Sequence, residues 1–169
     1  MPTKSQILSQ LHSLRHTGFF DMLSKHAQAH GFPAAYFFAI ASRETNCVNE
    51  LGDFQGGEFH GVGIVQIDIQ HDIARQARDS GSWKTNPEPL IEFGAGVLAN
   101  GIAQAKQAFP NFTEQQSLKI AASGYNAGIG RAIAGAQSGD SDKPTTGRDY
   151  GRDVMTRTAI FEELLTEAN

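Results

Sequence analysis

Apolar residues at helical spacing run along most of this chain, and the pattern fails most completely between Cys47 and Gly63, where Gly52, Gly56, Gly57, Gly61 and Gly63 accumulate. Such a pattern confines the chain to a helical fold with one irregular segment set between helices. Upstream, Ile7, Leu8, Leu11 and Leu14, then Phe19, Phe20, Leu23 and Ala27, predict two helices that stop near Gly31. Pro33 suits a first helical position, and residues 34–46 read as a strongly apolar third helix. After the gap, residues 64–69 read as a short strand and residues 80–89 as a polar loop. Leu90, Phe93, Val97, Leu98, Ile102, Ala105 and Phe109 form a wide apolar stripe, expected to mark the central and most buried helix. Thr113 and Gln116 have the form of a capping box and open a helix to about Gly124. Residues 125–137 predict another helix, 135–144 a loop, and a last helix starts near Thr146. On that helix Tyr150, Val154, Thr158, Phe161 and Leu165 share a face, so Tyr150 points inward. The fold class expected is mainly α (α+β), with a small strand region, and residues 1–169 form one domain in which 1–32 supply helices packing on the core.

Composition narrows the function classes. A hydrophobic fraction of 40% in 169 residues is enough for a real core. The net charge of −4, without a run of like charges, gives no electrostatic footprint for nucleic acid. No segment is apolar enough to span a bilayer, and Lys4, His12, Arg15 and His16 interrupt residues 1–20, which do not read as a signal peptide. Cys47 stands alone, which excludes an internal disulfide and fits a reducing compartment or a fold needing no staple; a domain stripped of its leader would look the same. A monomer is the default expectation.

Glu44 is the residue most out of place. Phe37, Ile40 and Ala41 precede it at helical spacing, so its carboxyl shares a face with an apolar stripe at the C-terminal end of a helix. Partial burial and the negative end of the helix dipole both disfavour the ionised form, which predicts a raised pKa, the property of a general acid. The plainer alternative is a carboxylate at a frayed helix end, in water or paired with Arg43 or Arg75. Asp53, Glu58 and Asp68 follow in and after the glycine-rich stretch, either as partners for Glu44 across a cleft or as turn formers. Tyr125 and Asn126 sit among small residues where they could meet a sugar or a carboxyl, or serve as core aromatic and helix cap. His71 beside Asp72 lacks a second His or Cys at ligand spacing, so no metal is expected. Cys47 is expected to pack or to line a cleft edge.

Four segments, taken together and in order, resemble the goose-type lysozymes and, more distantly, the catalytic domain of soluble lytic transglycosylases. They are Ala41-Ser42-Arg43-Glu44, then Gly61-Val62-Gly63-Ile64-Val65-Gln66-Ile67-Asp68, then Gly124-Tyr125-Asn126-Ala127-Gly128, and Thr145-Thr146-Gly147-Arg148-Asp149-Tyr150-Gly151-Arg152-Asp153-Val154. The resemblance implies a lysozyme-like helical domain whose strand region lies beside an active-site cleft, and cleavage of the beta-1,4 bond between N-acetylmuramic acid and N-acetylglucosamine. It makes Glu44 the catalytic acid and Asp68 and Asp53 the holders of the attacking water. Gln66, His71, Tyr125, Asn126 and Tyr150 then line the sugar-binding cleft, with Tyr125 and Tyr150 close to the acid. It implies peptidoglycan as partner, chitin-type oligosaccharides as ligands and a proteinaceous lysozyme inhibitor, acting at a cell wall outside the cytoplasm or in a periplasm, and supplies no cofactor. The chain departs from the family in a longer stretch between Asp53 and Asp68, where Glu58 competes for the role given to Asp53, in Cys47 so near the acid, and in lacking the disulfides and basic surface of secreted animal members. The rival readings are a transglycosylase giving 1,6-anhydro products and a non-catalytic peptidoglycan-binding module.

Overall fold

The computed structural model describes residues 2–167; Met1, Ala168 and Asn169, at the ends of the expected 1–169 domain, lie outside the described residues. The chain opens with α1 (Lys4–Thr17), started by a capping box in which Thr3 and Gln6 satisfy each other's backbone N–H groups. Gly18, at φ 81°, ends α1 and begins α2 (Phe19–Ala29). Pro33 precedes α3 (Ala34–Thr45) in extended backbone as its N-cap, and Asn46 closes α3 in the left-handed region.

The glycine-rich stretch is not the aperiodic loop its composition suggests. Strands β1 (Leu51–Gln55) and β2 (Glu58–Val62) form a hairpin around Gly56 and Gly57, whose φ values of 59° and 89° meet the demand of a two-residue turn for two positive-φ residues. The strand expected at 64–69 shrinks to β3 (Ile67–Asp68), which pairs antiparallel with β2 through Gly61↔Asp68 and Val62↔Ile67. Residues 63–66 instead turn, with Gly63 and Gln66 at positive φ, and drive Ile64 and Val65 into the core without a ladder.

Helices α4 (Asp72–Ser80) and α5 (Ser82–Thr85) follow, so part of the expected 80–89 loop is helical. Then come α6 (Glu88–Ala108), α7 (Glu114–Ala127), α8 (Ile129–Gln137), a 3-10 turn at Thr146–Arg148, and α9 (Tyr150–Glu167). The capping box on α7 forms in both directions. That helix runs through Gly124, which does not stop it: a Cβ there would stand 2.9 Å from the backbone of Ile129, so the glycine admits the start of α8.

The most buried helix is α3, not α6 as the apolar stripe suggested. Nine of the twelve residues of α3 are buried, against eight of twenty-one in α6. Helix α3 packs chiefly on α9 and α2, and α6 on α7. One edge of α6, with half-buried Phe93 and 37% exposed Val97, borders a cavity and is thereby kept from the core. Full burial of Phe37 and of Phe38 stabilises the fold by roughly 1.5–3 kcal/mol each, before cavity effects. The consequence for function is that Glu44 sits in the last turn of the most buried helix among the described residues.

Candidate active site

Glu44 lies one residue before the end of α3, only partly exposed, one turn after buried Ile40 and Ala41. Its Oε1 accepts a hydrogen bond from the Tyr150 hydroxyl at the start of α9. Burial pushes the carboxyl up to about 6, opposed by the Tyr150 hydrogen bond and the positive charge of Arg43. Neither arginine considered as an ion-pair partner bonds to it. Arg43 Nη1 and Nη2 donate to Asp153 and Asp149 at 2.8 and 3.1 Å, and its guanidinium lies over the Tyr150 ring at 5.4 Å. Arg75 pairs with Asp72.

Two cavities of about 220 and 540 Å³ meet at Glu44 and share Gln66, Asp68 and Asn126. The first runs past His71, Phe93, Val97 and Tyr125; the second runs past Asp53, Gln55, Thr146 and Tyr150. A third, sharing His71, Val97, Tyr125 and Asn126 with the first, continues along α7 to Arg131 on α8. The result is a long, open trough with polar walls, a shape suited to an extended hydrophilic chain more than to a compact apolar ligand.

Of the carboxylates, Asp68 on β3 faces both cavities that meet at Glu44, and its Oδ1 accepts from the Gln70 backbone N–H at 2.7 Å. Asp53 on β1 lines the larger of the two, exposed, with φ 52° and its Oδ1 accepting from Gln55 Nε2 at 2.6 Å. A non-glycine residue held in that region is strained and merits a functional question. Glu58 bonds to Arg78 on α4 at 2.7 Å and lines neither cavity. The hairpin therefore brings Asp53, and not Glu58, to the cavity of Glu44.

The other predicted residues all border the trough. Gln66, at φ 50°, donates from Nε2 to the carbonyls of Glu50 and Gly63 at 3.1 and 2.8 Å. Its Oε1 occupies a slot over the paired residues Gly52 and Gly61, where a Cβ would lie 2.2 or 2.1 Å away. A side chain at either position would displace the Gln66 amide. Tyr125 Oη donates to the Val65 carbonyl at 2.7 Å, so it bonds to the backbone beneath the cleft and not to the acid. Asn126 Oδ1 accepts from Thr146 N at 3.0 Å, and the His71 ring lies 4.9 Å from that of Phe93. Cys47 is buried away from the trough, its thiol pushed up to about 12 by burial. Among the described residues no group of three or more His, Cys, Asp or Glu is arranged to hold a metal.

Sequence reasoning assigned nothing to the groups that hold this site in place. Asp153 is buried between Arg43 and Arg157, whose Nε lies 2.8 Å from it, and Arg157 also donates to the carbonyl and hydroxyl of Ser42. The i,i+4 spacing of Asp153 and Arg157 beside inward-facing Val154 was a usable signal. Asp142, a fully buried carboxylate at the start of α9, had none, because its partners are backbone N–H groups of a later segment and a hydroxyl of an earlier helix, brought together only by the fold.

A family model described as lysozyme g matches residues 3–164. Lysozyme g of Casuarius casuarius is 31% identical over 129 residues, 76% of this chain and 64% of its own length. Lysozyme g of Gallus gallus is 30% identical over 129 residues, 76% of this chain and 56% of its own. Lysozyme g of Cyprinus carpio is 28% identical over 141 residues, 83% of this chain and 71% of its own. The chain thus spans less than two thirds of the length of the first two relatives. A match running from α1 into α9, through the trough and its acid, shows that this chain belongs to the lysozyme g family.

Proposed function

We propose that the protein is a peptidoglycan hydrolase, acting as one catalytic unit, that cleaves the beta-1,4 bond between N-acetylmuramic acid and N-acetylglucosamine with inversion. The observation that carries the reading is Glu44: a carboxyl raised to about 6, bonded by Tyr150, at the junction of cavities that also receive Asp68 and Asp53. The name lysozyme g carried by its relatives points the same way.

In this reading neutral Glu44 protonates the glycosidic oxygen as the bond to the anomeric carbon breaks. Asp68 and Asp53 orient a water on the opposite face of the sugar, and its proton passes to a carboxylate as its oxygen bonds to carbon. Gln66, His71, Tyr125, Asn126 and Tyr150 line the path of the glycan. The water-holding carboxylates set hydrolysis apart from transglycosylation, in which the sugar's own hydroxyl closes a 1,6-anhydro ring.

Proton NMR of the first products tests the stereochemistry. An α-anomer formed first from a β-linked oligosaccharide is expected, together with a loss of about 10²-fold or more in kcat for Asp68→Asn. A β-anomer first, or anhydro ends, would overturn the inverting mechanism.

A further inference from the structure

We infer that Asp142, which lies outside the cleft, is a positioning residue for the acid: by holding the first turn of α9 it fixes the Tyr150 hydroxyl on Glu44. The inference rests on the reading of Glu44 as the proton donor. Asp142 has 0% of its surface exposed, and its Oδ1 accepts from Gly151 N at 2.6 Å while Oδ2 accepts from Arg152 N at 3.0 Å. These are N–H groups that a first helical turn leaves without an intrahelical partner, and a carboxylate there also meets the positive end of the dipole. Ser123 Oγ on α7 stands 2.9 Å from the same Oδ1, so the carboxylate ties α9 to α7. Its backbone carbonyl accepts from Thr145 N and Oγ1, and Thr145 Oγ1 in turn accepts from Tyr150 N at 3.4 Å.

The fit at this joint is close. A Cβ on Gly151 would stand 2.4 Å from Ser123 Oγ and 2.7 Å from the Lys119 carbonyl. Asn126 supplies a second tie by accepting from Thr146 N. Residue 150 thus sits just past one tie and just before the other. The body of α9 does not depend on them, since Val154, Phe161 and Leu164 anchor it in the core. What Asp142 sets is the direction of the first turn, and with it the place where Tyr150 meets Glu44.

The groups around Glu44 are Arg43 on its own helix, Asp53 on β1, Asp68 on β3, His71 ahead of α4, Tyr125 on α7 and Tyr150 on α9. Of these, Tyr150 is carried on the turn that Asp142 holds. Around Asp142 stand Lys119, with Nζ 3.9 Å from Oδ2, Ser123, Ser141, Asp140 and Arg152. Loss of the Tyr150 hydrogen bond removes a donor that favours the ionised acid, so Glu44 holds its proton to higher pH.

The test is the pH dependence of kcat/KM on soluble peptidoglycan fragments for wild type, Tyr150→Phe, Asp142→Asn, Ser123→Ala and the double variant Tyr150→Phe with Asp142→Asn. Tyr150→Phe and Asp142→Asn are expected to move the limb of Glu44 ionisation to higher pH, with kcat down between about tenfold and a hundredfold and KM changed far less. Asp142→Asn is expected to add no further shift once Tyr150 is Phe. Ser123→Ala, the mildest change, should move the limb the same way by less, and it serves if Asp142→Asn does not fold. A limb left in place in folded variants, or the same shift with and without the Tyr150 hydroxyl, would overturn the inference. If wild type releases no fragments, it is the hydrolase reading that fails. The Glu44 carboxyl is then titrated directly by carbon NMR in the same variants, with the same shifts expected and an unmoved titration again contrary.

Discussion

A glutamate that keeps its proton to about pH 6 lowers stability when it is forced to ionise, and Glu44 is such a residue. Its folded value lies above the ordinary 4.5, so the native state binds more protons than the unfolded one between those values, and stability falls as pH rises through that window. Glu44→Gln keeps an acceptor for Tyr150 and removes the charge. Thermal unfolding should therefore show the variant more stable than wild type at pH 7 by about 1–2 kcal/mol, with the difference vanishing below about pH 4. A variant less stable at pH 7 would mean that the carboxylate is favoured where it sits. In the proposed mechanism the same value sets the activity profile: the neutral acid is depleted and kcat/KM is expected to fall up to tenfold per pH unit above about 6. The ion group beside it has the opposite character. Asp153 is 2% exposed between two arginines; Arg43 keeps Asp149, but Asp153→Ala leaves buried Arg157 without a charged partner and should cost about 3–5 kcal/mol in urea unfolding. A loss under 1 kcal/mol would show that water reaches Arg157.

At the scale of elements, the Gln66 side chain lies in a slot across the two strands of the hairpin, in addition to the pairing with β3 and the Arg78 bonds that hold the hairpin in place. Gly61→Ala would thrust a Cβ into the Gln66 amide, which must then leave the position over Gly52 and Gly61. The expected outcome is a drop in kcat/KM with a modest loss of stability, and a stability effect of Gly61→Ala that shrinks when Gln66 is already Ala. Additive effects would contradict the slot. How far such features were legible differs by element. The helices α1, α2, α3, α6 and α9 follow from apolar periodicity, and the start of α7 from its capping box. The hairpin was written in Gly56-Gly57, two residues that tolerate positive φ between segments of equal length, but the surrounding glycines masked the alternation of a strand. Residues 64–69 misled because an apolar run reads the same whether it pairs in a sheet or turns into a core. The stripe on α6 overstated burial because part of it lines a cleft, and hydrophobicity does not distinguish the two surfaces. Glu44 was legible as an acid on an apolar face. Asp142 was not, since its role depends on N–H groups brought to it by α9.

Across the whole molecule, the acid is placed at the end of the most buried helix while the groups facing it come from more exposed elements: the hairpin carries Asp53, β3 carries Asp68, and α7 and α9 carry Asn126 and Tyr150. In the proposed mechanism a donor on a rigid helix faces groups from a small sheet and from the ends of two further helices, an arrangement in which reacting groups can be held without strain on the core. The trough extends through three adjoining cavities, so in the proposed reaction binding energy remote from the scissile bond would be available. Rates on oligosaccharides of increasing length should accordingly rise, by more than about tenfold in kcat/KM between the shortest substrate cleaved and one that fills the trough. A flat dependence would confine recognition to the sugars on either side of the bond. The role of Glu44 is tested by digestion of purified peptidoglycan by wild type and by Glu44→Gln, with products identified by mass spectrometry. Muropeptides with ordinary reducing ends from wild type, and a loss of at least about 10²-fold with Glu44→Gln, are predicted; undiminished release of fragments by the variant would rule out Glu44 as the proton donor.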